Sequence, residues 1–223
     1  PGPGGLTRSL LNAGAAHVTA IERDDRCIPA LEEIQSAYPG RLTIIENDAL
    51  KVNPIDVSEA PRQIIANLPY NIATPLLIGW LRQASAFQGL VLMFQKEVAD
   101  RITSAPGLKT YGRLSVLVQW LCEAKSEFTV NKKSFVPPPK VMSSVISLKP
   151  HAQPAENVNW ESLETVTQAA FGQRRKMLRS SLKPLGLDIE GLDINPTLRA
   201  EDLSVSDYCR LAQAHRIKVN KSN

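Results

Sequence analysis

Four consecutive residues have the types and spacing best suited to chemistry: Asn67, Leu68, Pro69 and Tyr70. They follow a short apolar run at residues 64–66, which is typical of a buried strand in a parallel sheet. Ligands of open α/β sheets bind outside the carboxyl ends of such strands. The sequence therefore predicts that Asn67 and Tyr70 lie at a binding site.

This tetrapeptide offers two hydrogen-bond acceptors beside an aromatic face. The acceptors are the side-chain carbonyl of Asn67 and the backbone carbonyl of Leu68, and Pro69 stiffens the turn between them and Tyr70. A nucleobase stacked on Tyr70 would gain about 1–3 kcal/mol. An exocyclic amine such as N6 of adenine suits two carbonyls, which would draw the nitrogen toward tetrahedral geometry and direct its lone pair at an electrophile. An ordinary strand-to-loop turn is equally compatible, because Asn and Pro are common turn residues.

Two acidic residues follow strand patterns at positions suited to holding a nucleotide. The glycine-rich segment 1–5 would let a ligand approach the backbone at the start of a helix. The next strand pattern ends on Glu22, 18 residues after Gly4, close to the spacing of the acid that holds a ribose in nucleotide-binding βαβ units. Asp48 follows the strand pattern at 42–46 and could accept a hydrogen bond from an adenine amine. A turn or helix-cap aspartate is the alternative.

Strand and helix patterns alternate through the first 95 residues, which indicates an α/β fold with a doubly wound, mostly parallel sheet. A polar linker at 151–159 precedes a segment of short helices, so we predict a first domain at 1–150 and a small helical domain at 151–223. The helix at 74–82 is expected to begin with Thr74 as cap and Pro75 as first residue. The other helices are predicted at 26–37, 96–102, 114–121, 160–172, 175–182 and 206–215, and later strands at 89–94, 123–130 and 141–149.

The composition is that of a folded protein without disulfides or a metal site. The 223 residues are 43% hydrophobic, enough to bury a core. No apolar run approaches the roughly 20 residues of a membrane span. The cysteines Cys27, Cys122 and Cys209 are far apart and lack metal-ligand spacing, and the three histidines are equally scattered. We therefore expect no disulfides, no metal site and a cytoplasmic protein. Separately, we expect a monomer.

Positive charge is concentrated beyond the first 95 residues. Residues 1–95 hold 7 basic and 9 acidic side chains, residues 96–149 hold 9 and 4, and residues 151–223 hold 10 and 9. A near-neutral half followed by basic segments fits a small-ligand site beside a surface that binds a polyanion. A solvated basic surface is the alternative.

Two short basic runs are the candidates for binding nucleic-acid phosphates. The first lies in a proline-rich loop, in which Phe135 could close over a base opposite Tyr70; a plain connecting loop is the competing interpretation. The second follows a glycine at the end of a helix pattern. The predicted phosphate-binding residues are Lys132, Lys133, Lys140, Arg174, Arg175 and Lys176.

Eight short motifs occur in a fixed order along essentially the whole chain. They are residues 2–7 (GPGGLT), 22–24 (ERD), 47–50 (NDAL), 67–72 (NLPYNI), 95–99 (QKEVA), 111–115 (YGRLS), 135–141 (FVPPPKV) with Ser143, and 171–178 (FGQRRKML). By these motifs the chain resembles the ribosomal RNA adenine N6-dimethyltransferases, specifically the bacterial small-subunit type.

The resemblance implies a Rossmann-like, S-adenosylmethionine-dependent methyltransferase fold, with a seven-stranded, mostly parallel sheet and a small all-α C-terminal domain. It implies that Glu22 binds the ribose of the cofactor, and that Tyr70 and Phe135 enclose the target base. The implied cofactor-binding residues are Gly2, Gly4, Glu22, Asp48, Ala49 and Asn67. The implied catalytic residues are Asn67, Leu68, Pro69, Tyr70 and Phe135.

The implied reaction is dimethylation of two adjacent adenosines in the 3′-terminal hairpin of 16S rRNA, on the small ribosomal subunit, during ribosome biogenesis. Members of the family have a further strand and helices before the position at which this chain starts, so we expect an N-terminally incomplete methyltransferase domain that binds the cofactor poorly. A large-subunit rRNA methyltransferase and a non-catalytic ribosome-assembly factor remain as alternatives. A nicotinamide-dependent oxidoreductase is disfavoured, because it has no need of residues 67–70.

Overall fold

The computed structural model of the chain describes residues 1–154, 156 and 158–222. Strands and helices alternate in its first part and the last part is helical, which confirms the predicted α/β class with an all-α C-terminal region. The strands are β1 (Val18–Glu22), β2 (Leu42–Glu46), β3 (Gln63–Asn67), β4 (Gly89–Gln95), β5 (Cys122–Val130) and β6 (Ser143–Pro150). The helices are α1 (Gly5–Asn12), α2 (Ile28–Ala37), α3 (Pro54–Val57), α4 (Tyr70–Leu81), α5 (Lys96–Ile102), α6 (Arg113–Leu121), α7 (Trp160–Gly172), α8 (Leu178–Ser181) and α9 (Val205–Ser222).

Parallel pairing brings the carboxyl ends of neighbouring strands together. β1 pairs with β2, and β3 pairs with β4 in a second sheet of order β3-β4-β6-β5. β6 runs antiparallel to β4 and β5, so its first residue, Ser143, lies beside Gln95 at the carboxyl end of β4. The 3₁₀ turn Ala49–Lys51, which follows β2, packs against α4, which follows β3. The carboxyl ends of the two sheets therefore lie on the same side of the molecule.

The strands of the described residues form two sheets and not one continuous sheet. Within the described residues there are six strands, and β1 and β3 do not pair with each other. A cavity of about 1460 Å³, lined by residues 63–66 of β3 and by Val18, Thr19 and Ile21 of β1, separates them. The apolar residues of β3 are accordingly half-buried, whereas most of those of β4 are fully buried.

One apolar core joins the four-stranded sheet to the C-terminal helices. Leu92 of β4, Ile146 of β6, Leu163 of α7 and Leu211 of α9 are all fully buried in it. The division into domains at 1–150 and 151–223 stays a prediction, and the two segments share this core. The two-stranded sheet has a smaller core of its own, formed by Leu11, Ala20, Ile34 and Leu42.

The predicted start of the helix at 74–82 is wrong. α4 begins at Tyr70, because the carbonyl of Pro69 already accepts two N–H groups of the first helical turn, each at 3.1 Å. Thr74 and Pro75 lie inside the helix. The candidate tyrosine is therefore the first residue of a helix and not part of a loop.

The helix predicted at 175–182 is also wrong over its first half. The backbone N–H of Lys176 donates to the carbonyl of Gln173 at 2.8 Å, which closes a turn, and Met177 then forms an isolated bridge with Arg199. Helical structure begins only with α8. The second basic run, residues 174–176, therefore lies in a turn, and the bridge between Met177 and Arg199 follows it directly.

Candidate active site

Residues 67–70 make the turn from the carboxyl end of β3 into α4. Asn67 is the last residue of the strand, and Pro69 is the N-cap of the helix, with φ −56° and ψ 129°. The side chain of Leu68 is buried in the main core, whereas Asn67 and Pro69 are exposed. The buried leucine anchors the turn, and the exposed Asn67 lies at the end of the sheet where ligands of open α/β sheets bind.

Two oxygen acceptors of this turn are open. The Pro69 carbonyl is occupied by the helix. In the part of the chain that the structure describes, no protein group donates to the side chain of Asn67 or to the carbonyl of Leu68. An exocyclic amine carries two hydrogens to donate, and so it matches this pair of acceptors.

Tyr70 is anchored at the far end of its side chain. Its hydroxyl lies 2.7 Å from Oγ of Ser143, the first residue of β6, across 73 positions of sequence. Ser143 is fully buried, while Tyr70 is half-buried. The aromatic ring therefore has one accessible part and one fixed end.

Phe135 lies in the loop between β5 and β6. The loop starts after Val130 and ends at Ser143, and these two residues are paired across the strands, so both loop ends lie near Tyr70. Phe135 is half-buried and its neighbour Val136 is 99% exposed. The loop that carries Phe135 thus begins and ends at the same end of the sheet as Tyr70, and the closure of Phe135 over a base opposite Tyr70 stays a prediction.

The carboxylate of Glu22 is held by three backbone N–H groups at the end of β1. Oε2 accepts from Gly2, and Oε1 accepts from Arg23 and Asp24, all at 2.8 Å. Burial raises the pKa of Glu22, but the N–H groups of Asp24 and Gly2, the positive charge of the N-terminus 3.5 Å from Oε2 and the N–H of Arg23 together lower it by more, so that the net pKa lies below its usual 4.5. The carboxylate is therefore ionised at neutral pH, as an acceptor for ribose hydroxyls must be.

Asp48 caps the turn that follows β2, which is one of the two alternatives that the sequence left open for it. Its Oδ1 accepts the N–H of Leu50 at 3.0 Å and so caps the 3₁₀ turn that starts at Ala49. Its Oδ2 lies 3.5 Å from the guanidinium of Arg23, the residue after Glu22. The cap is therefore observed, and Oδ2 lies on the side of Glu22. Adenine binding by Asp48 and Ala49 stays a prediction.

Gly2 and Gly4 form the turn that leads into α1. Both have positive φ, 57° and 88°, which L-amino acids with a Cβ adopt only with strain. A Cβ on Gly4 would lie 2.3 Å from Cδ1 of Ile34. The backbone here is therefore packed directly on the small core.

This set of groups fits a nucleoside cofactor with a charged amino-acid end. The ionised Glu22 can accept hydroxyls, Asp48 can accept an amine, and the glycine backbone at the start of α1 can approach the amino-acid end. A ribose at Glu22 would share Oε2 with the N–H of Gly2 or displace it.

The six predicted phosphate-binding residues are not equivalent. Nε of Arg174 donates to Oε2 of Glu201 at 2.7 Å, and the guanidinium also contacts the carbonyl of Lys109. Its charge is therefore already paired. The other five predicted residues, Lys132, Lys133, Lys140, Arg175 and Lys176, are exposed.

No group of three or more His, Cys, Asp or Glu residues in the described ranges could hold a metal ion. No helix in those ranges is long and apolar enough to cross a membrane. All three cysteines are free thiols.

Sequence reasoning missed two contacts of the site. The motif at 135–141 includes Ser143, but only the pairing of β6 with β4 brings this serine to Tyr70. Arg23 lies in the motif with Glu22, yet its contact with Asp48 depends on the pairing of β1 with β2. Both residues lie in recognisable motifs, and the signal that was lacking is the strand register.

Comparisons with known proteins show which family the chain resembles. The family described as "Ribosomal RNA adenine dimethylase" matches residues 1–217. A Ribosomal RNA small subunit methyltransferase A from Rhodospirillum rubrum is 60% identical over 218 residues, 96% of this chain and 75% of that protein. Proteins of the same name from Paramagnetospirillum magneticum (96% of this chain, 77% of that protein) and Gluconobacter oxydans (96% and 71%) are 57% and 53% identical.

Solved structures give the same fold. A dimethyladenosine transferase from Plasmodium falciparum superimposes with a TM-score of 0.84 at 28% identity, over 99% of this chain and 87% of that one. A 23S rRNA methyltransferase, ErmE, superimposes with a TM-score of 0.72 at 23% identity, over 97% and 88%. The second likeness concerns the fold alone.

Proposed function

Because this chain belongs to the ribosomal RNA adenine dimethylase family, we propose that it methylates N6 of two adjacent adenosines in the 3′-terminal hairpin of 16S rRNA. The methyl donor is S-adenosylmethionine, with two donors used per adenosine. The substrate is the small ribosomal subunit during its biogenesis, and the enzyme acts in the cytoplasm as a monomer.

The observation that carries this proposal is the pair of open acceptors at residues 67–70. Asn67 and the carbonyl of Leu68 stand at the carboxyl end of β3, next to an aromatic ring whose hydroxyl is anchored. Adenine N6 presents two hydrogens and a flat ring to such a site. The arrangement supports an amine substrate that stacks on Tyr70.

The turn acts on N6 by positioning. When bound, S-adenosylmethionine supplies an electrophilic methyl group. The lone pair of N6 is delocalised into the adenine ring, and hydrogen bonds from N6 to Asn67 and to the Leu68 carbonyl favour the tetrahedral nitrogen whose lone pair can attack. An amide and a peptide carbonyl are not bases at neutral pH, so the proton that N6 loses passes to solvent.

The aromatic residues hold a base that has left its helical stack. An adenine inside a duplex cannot reach the turn, and its flipping costs a few kcal/mol that stacking must offset. Tyr70 supplies one face, and we assign Phe135 to the other. We assign the flanking phosphates to the exposed lysines of the Phe135 loop, Lys132, Lys133 and Lys140.

The test is methyl transfer from labelled S-adenosylmethionine to unmethylated small subunits, with the modified nucleoside identified and mapped. We expect dimethyladenosine at the two adjacent positions. Asn67→Ala should lower the rate by about 100-fold or more, the usual loss when one oriented polar group is removed. Asn220→Ala, at an exposed position of α9, is the matched control and should keep the wild-type rate.

The other functions are distinguishable in the same experiment. Modification of large-subunit rRNA only would indicate the alternative substrate, and tight subunit binding without any transfer would indicate an assembly factor. Equal rates for the wild type and Asn67→Ala would contradict the assigned mechanism. Because Asn67 is also a predicted cofactor-binding residue, the affinity for S-adenosylmethionine must be measured for each variant.

A further inference from the structure

Ser143 occupies a fixed point behind the candidate active site. It is the first residue of β6, and its backbone is paired with Gln95 of β4 on one side and with Val130 of β5 on the other. The residue before it, Met142, accepts the N–H of Lys96 at 2.9 Å. The position of Ser143 is therefore set by the sheet on both sides, and its side chain is fully buried.

The hydroxyl of this serine fixes the direction of the Tyr70 side chain. The two hydroxyl oxygens are 2.7 Å apart, a normal distance for an O–H···O hydrogen bond. Rotation about Cβ–Cγ leaves the phenol oxygen in place, whereas a change of χ1 to another staggered rotamer moves the whole ring. The bond to Ser143 thus selects one χ1 rotamer of Tyr70.

The same serine ends the loop that carries Phe135. Residues 131–142 connect β5 to β6, so the two aromatic residues assigned to the base are connected to one anchored position. Phe135 is connected through the chain, and Tyr70 through the hydroxyl. A base can be held between Tyr70 and Phe135 only if the two rings have a defined position relative to each other. Ser143 is the residue to which both are connected.

We propose that Ser143 is a positioning residue that holds Tyr70 in the rotamer required to stack the target adenine. This inference rests on the proposed function, because the stacking partner is the base that is methylated. Ser143 itself does not touch the substrate and acts through Tyr70.

The next residue provides a matched control. Ser144 is equally buried, and its hydroxyl bonds to Thr129 at 3.2 Å. Neighbouring residues of a strand point to opposite sides of the sheet, so Ser144→Ala removes the same atom from the same strand without touching Tyr70.

The first experiment is a double-mutant cycle in single-turnover methyl transfer at saturating subunits. Ser143→Ala and Tyr70→Phe each remove one hydroxyl of the pair, and each should lower the rate by about tenfold, equivalent to about 1.4 kcal/mol. The double variant should lose no more than either single variant, because the bond is already broken. Ser144→Ala should keep the rate within about twofold, and the affinity for S-adenosylmethionine should be unchanged in all four proteins.

Two results would overturn the proposal: a wild-type rate for Ser143→Ala, or losses that multiply in the double variant. A merely structural role of Ser143 would lower stability alike in both serine variants and would not produce the non-additive rate loss with Tyr70→Phe.

The second experiment does not depend on catalysis. NMR of protein with labelled tyrosine gives the χ1 rotamer of Tyr70 from three-bond couplings. We expect one rotamer in the wild type and in Ser144→Ala, and averaged rotamers in Ser143→Ala. If the wild type transfers no methyl group, the proposed function fails, and an unchanged rotamer in Ser143→Ala separately refutes the positioning role.

Discussion

Three glycines in one turn should respond to alanine in three different ways. Gly2 and Gly4 have positive φ, whereas Gly5 is the first residue of α1. A Cβ meets nothing within 4 Å at Gly2 or Gly5, but lies 2.3 Å from Ile34 Cδ1 at Gly4. The series therefore separates backbone strain from overpacking at neighbouring positions.

The magnitudes follow from these two causes. Gly2→Ala forces an L-residue into the left-handed region, which costs about 1–2 kcal/mol. Gly4→Ala adds an overpacking cost of about 1–3 kcal/mol, because Ile34 is 3% exposed and packed in the small core. Gly5→Ala has a compatible helical backbone and should stabilise by about 0.4–1 kcal/mol, through a less flexible unfolded chain.

The assay is urea unfolding of the three variants and the wild type under one condition. The expected order of the free energy of unfolding is Gly5→Ala, wild type, Gly2→Ala, Gly4→Ala, with unchanged dependence on urea. Equal losses for Gly2→Ala and Gly4→Ala would show that Ile34 moves aside at no cost and would refute the packing argument.

Two further perturbations address Glu22 and the second basic run. The folded-state pKa of Glu22 is lower than its ordinary 4.5. The ionised carboxylate therefore contributes to stability above about pH 4.5, and this contribution is lost as the pH falls through the folded-state pKa. In measurements of the free energy of unfolding against pH, Glu22→Gln should remove this part of the loss of stability at acidic pH. Arg175→Ala should weaken subunit binding and reduce the slope of log K against log salt by about 0.7–0.9, provided that Arg175 contacts one phosphate. Arg174→Ala should chiefly lower the melting temperature, because it removes the partner of Glu201, and equal salt slopes for Arg175→Ala and the wild type would contradict the phosphate contact.

Local signals predicted much of the fold. The bounds of β2, α5 and α7 agree with the predicted ranges 42–46, 96–102 and 160–172. α7 shows why, since Asn159 accepts the N–H of Ser162 at 3.3 Å and so provides a cap that can be read from sequence. Elements whose ends are set by nearby residues could be predicted from the sequence.

The errors occur where a distant residue decides. The start of α4 is the exception, because Thr74 and Pro75 form a good local start signal, yet the carbonyl of Pro69 already accepts the first helical N–H groups. Arg174 has the sequence context of a phosphate ligand but pairs with Glu201, 27 positions later.

The candidate site is built on two separate cores. The base-binding turn is fixed through Leu68, which belongs to the main core, and the glycine turn beside Glu22 is fixed through Ile34, which belongs to the small core. Because these cores share no residue and a cavity lies between β1 and β3, a change at Gly4 and a change at Ser143 act on different parts of the site. Their effects on stability should therefore be independent, which is why the glycine series examines the cofactor half and the serine pair examines the base half.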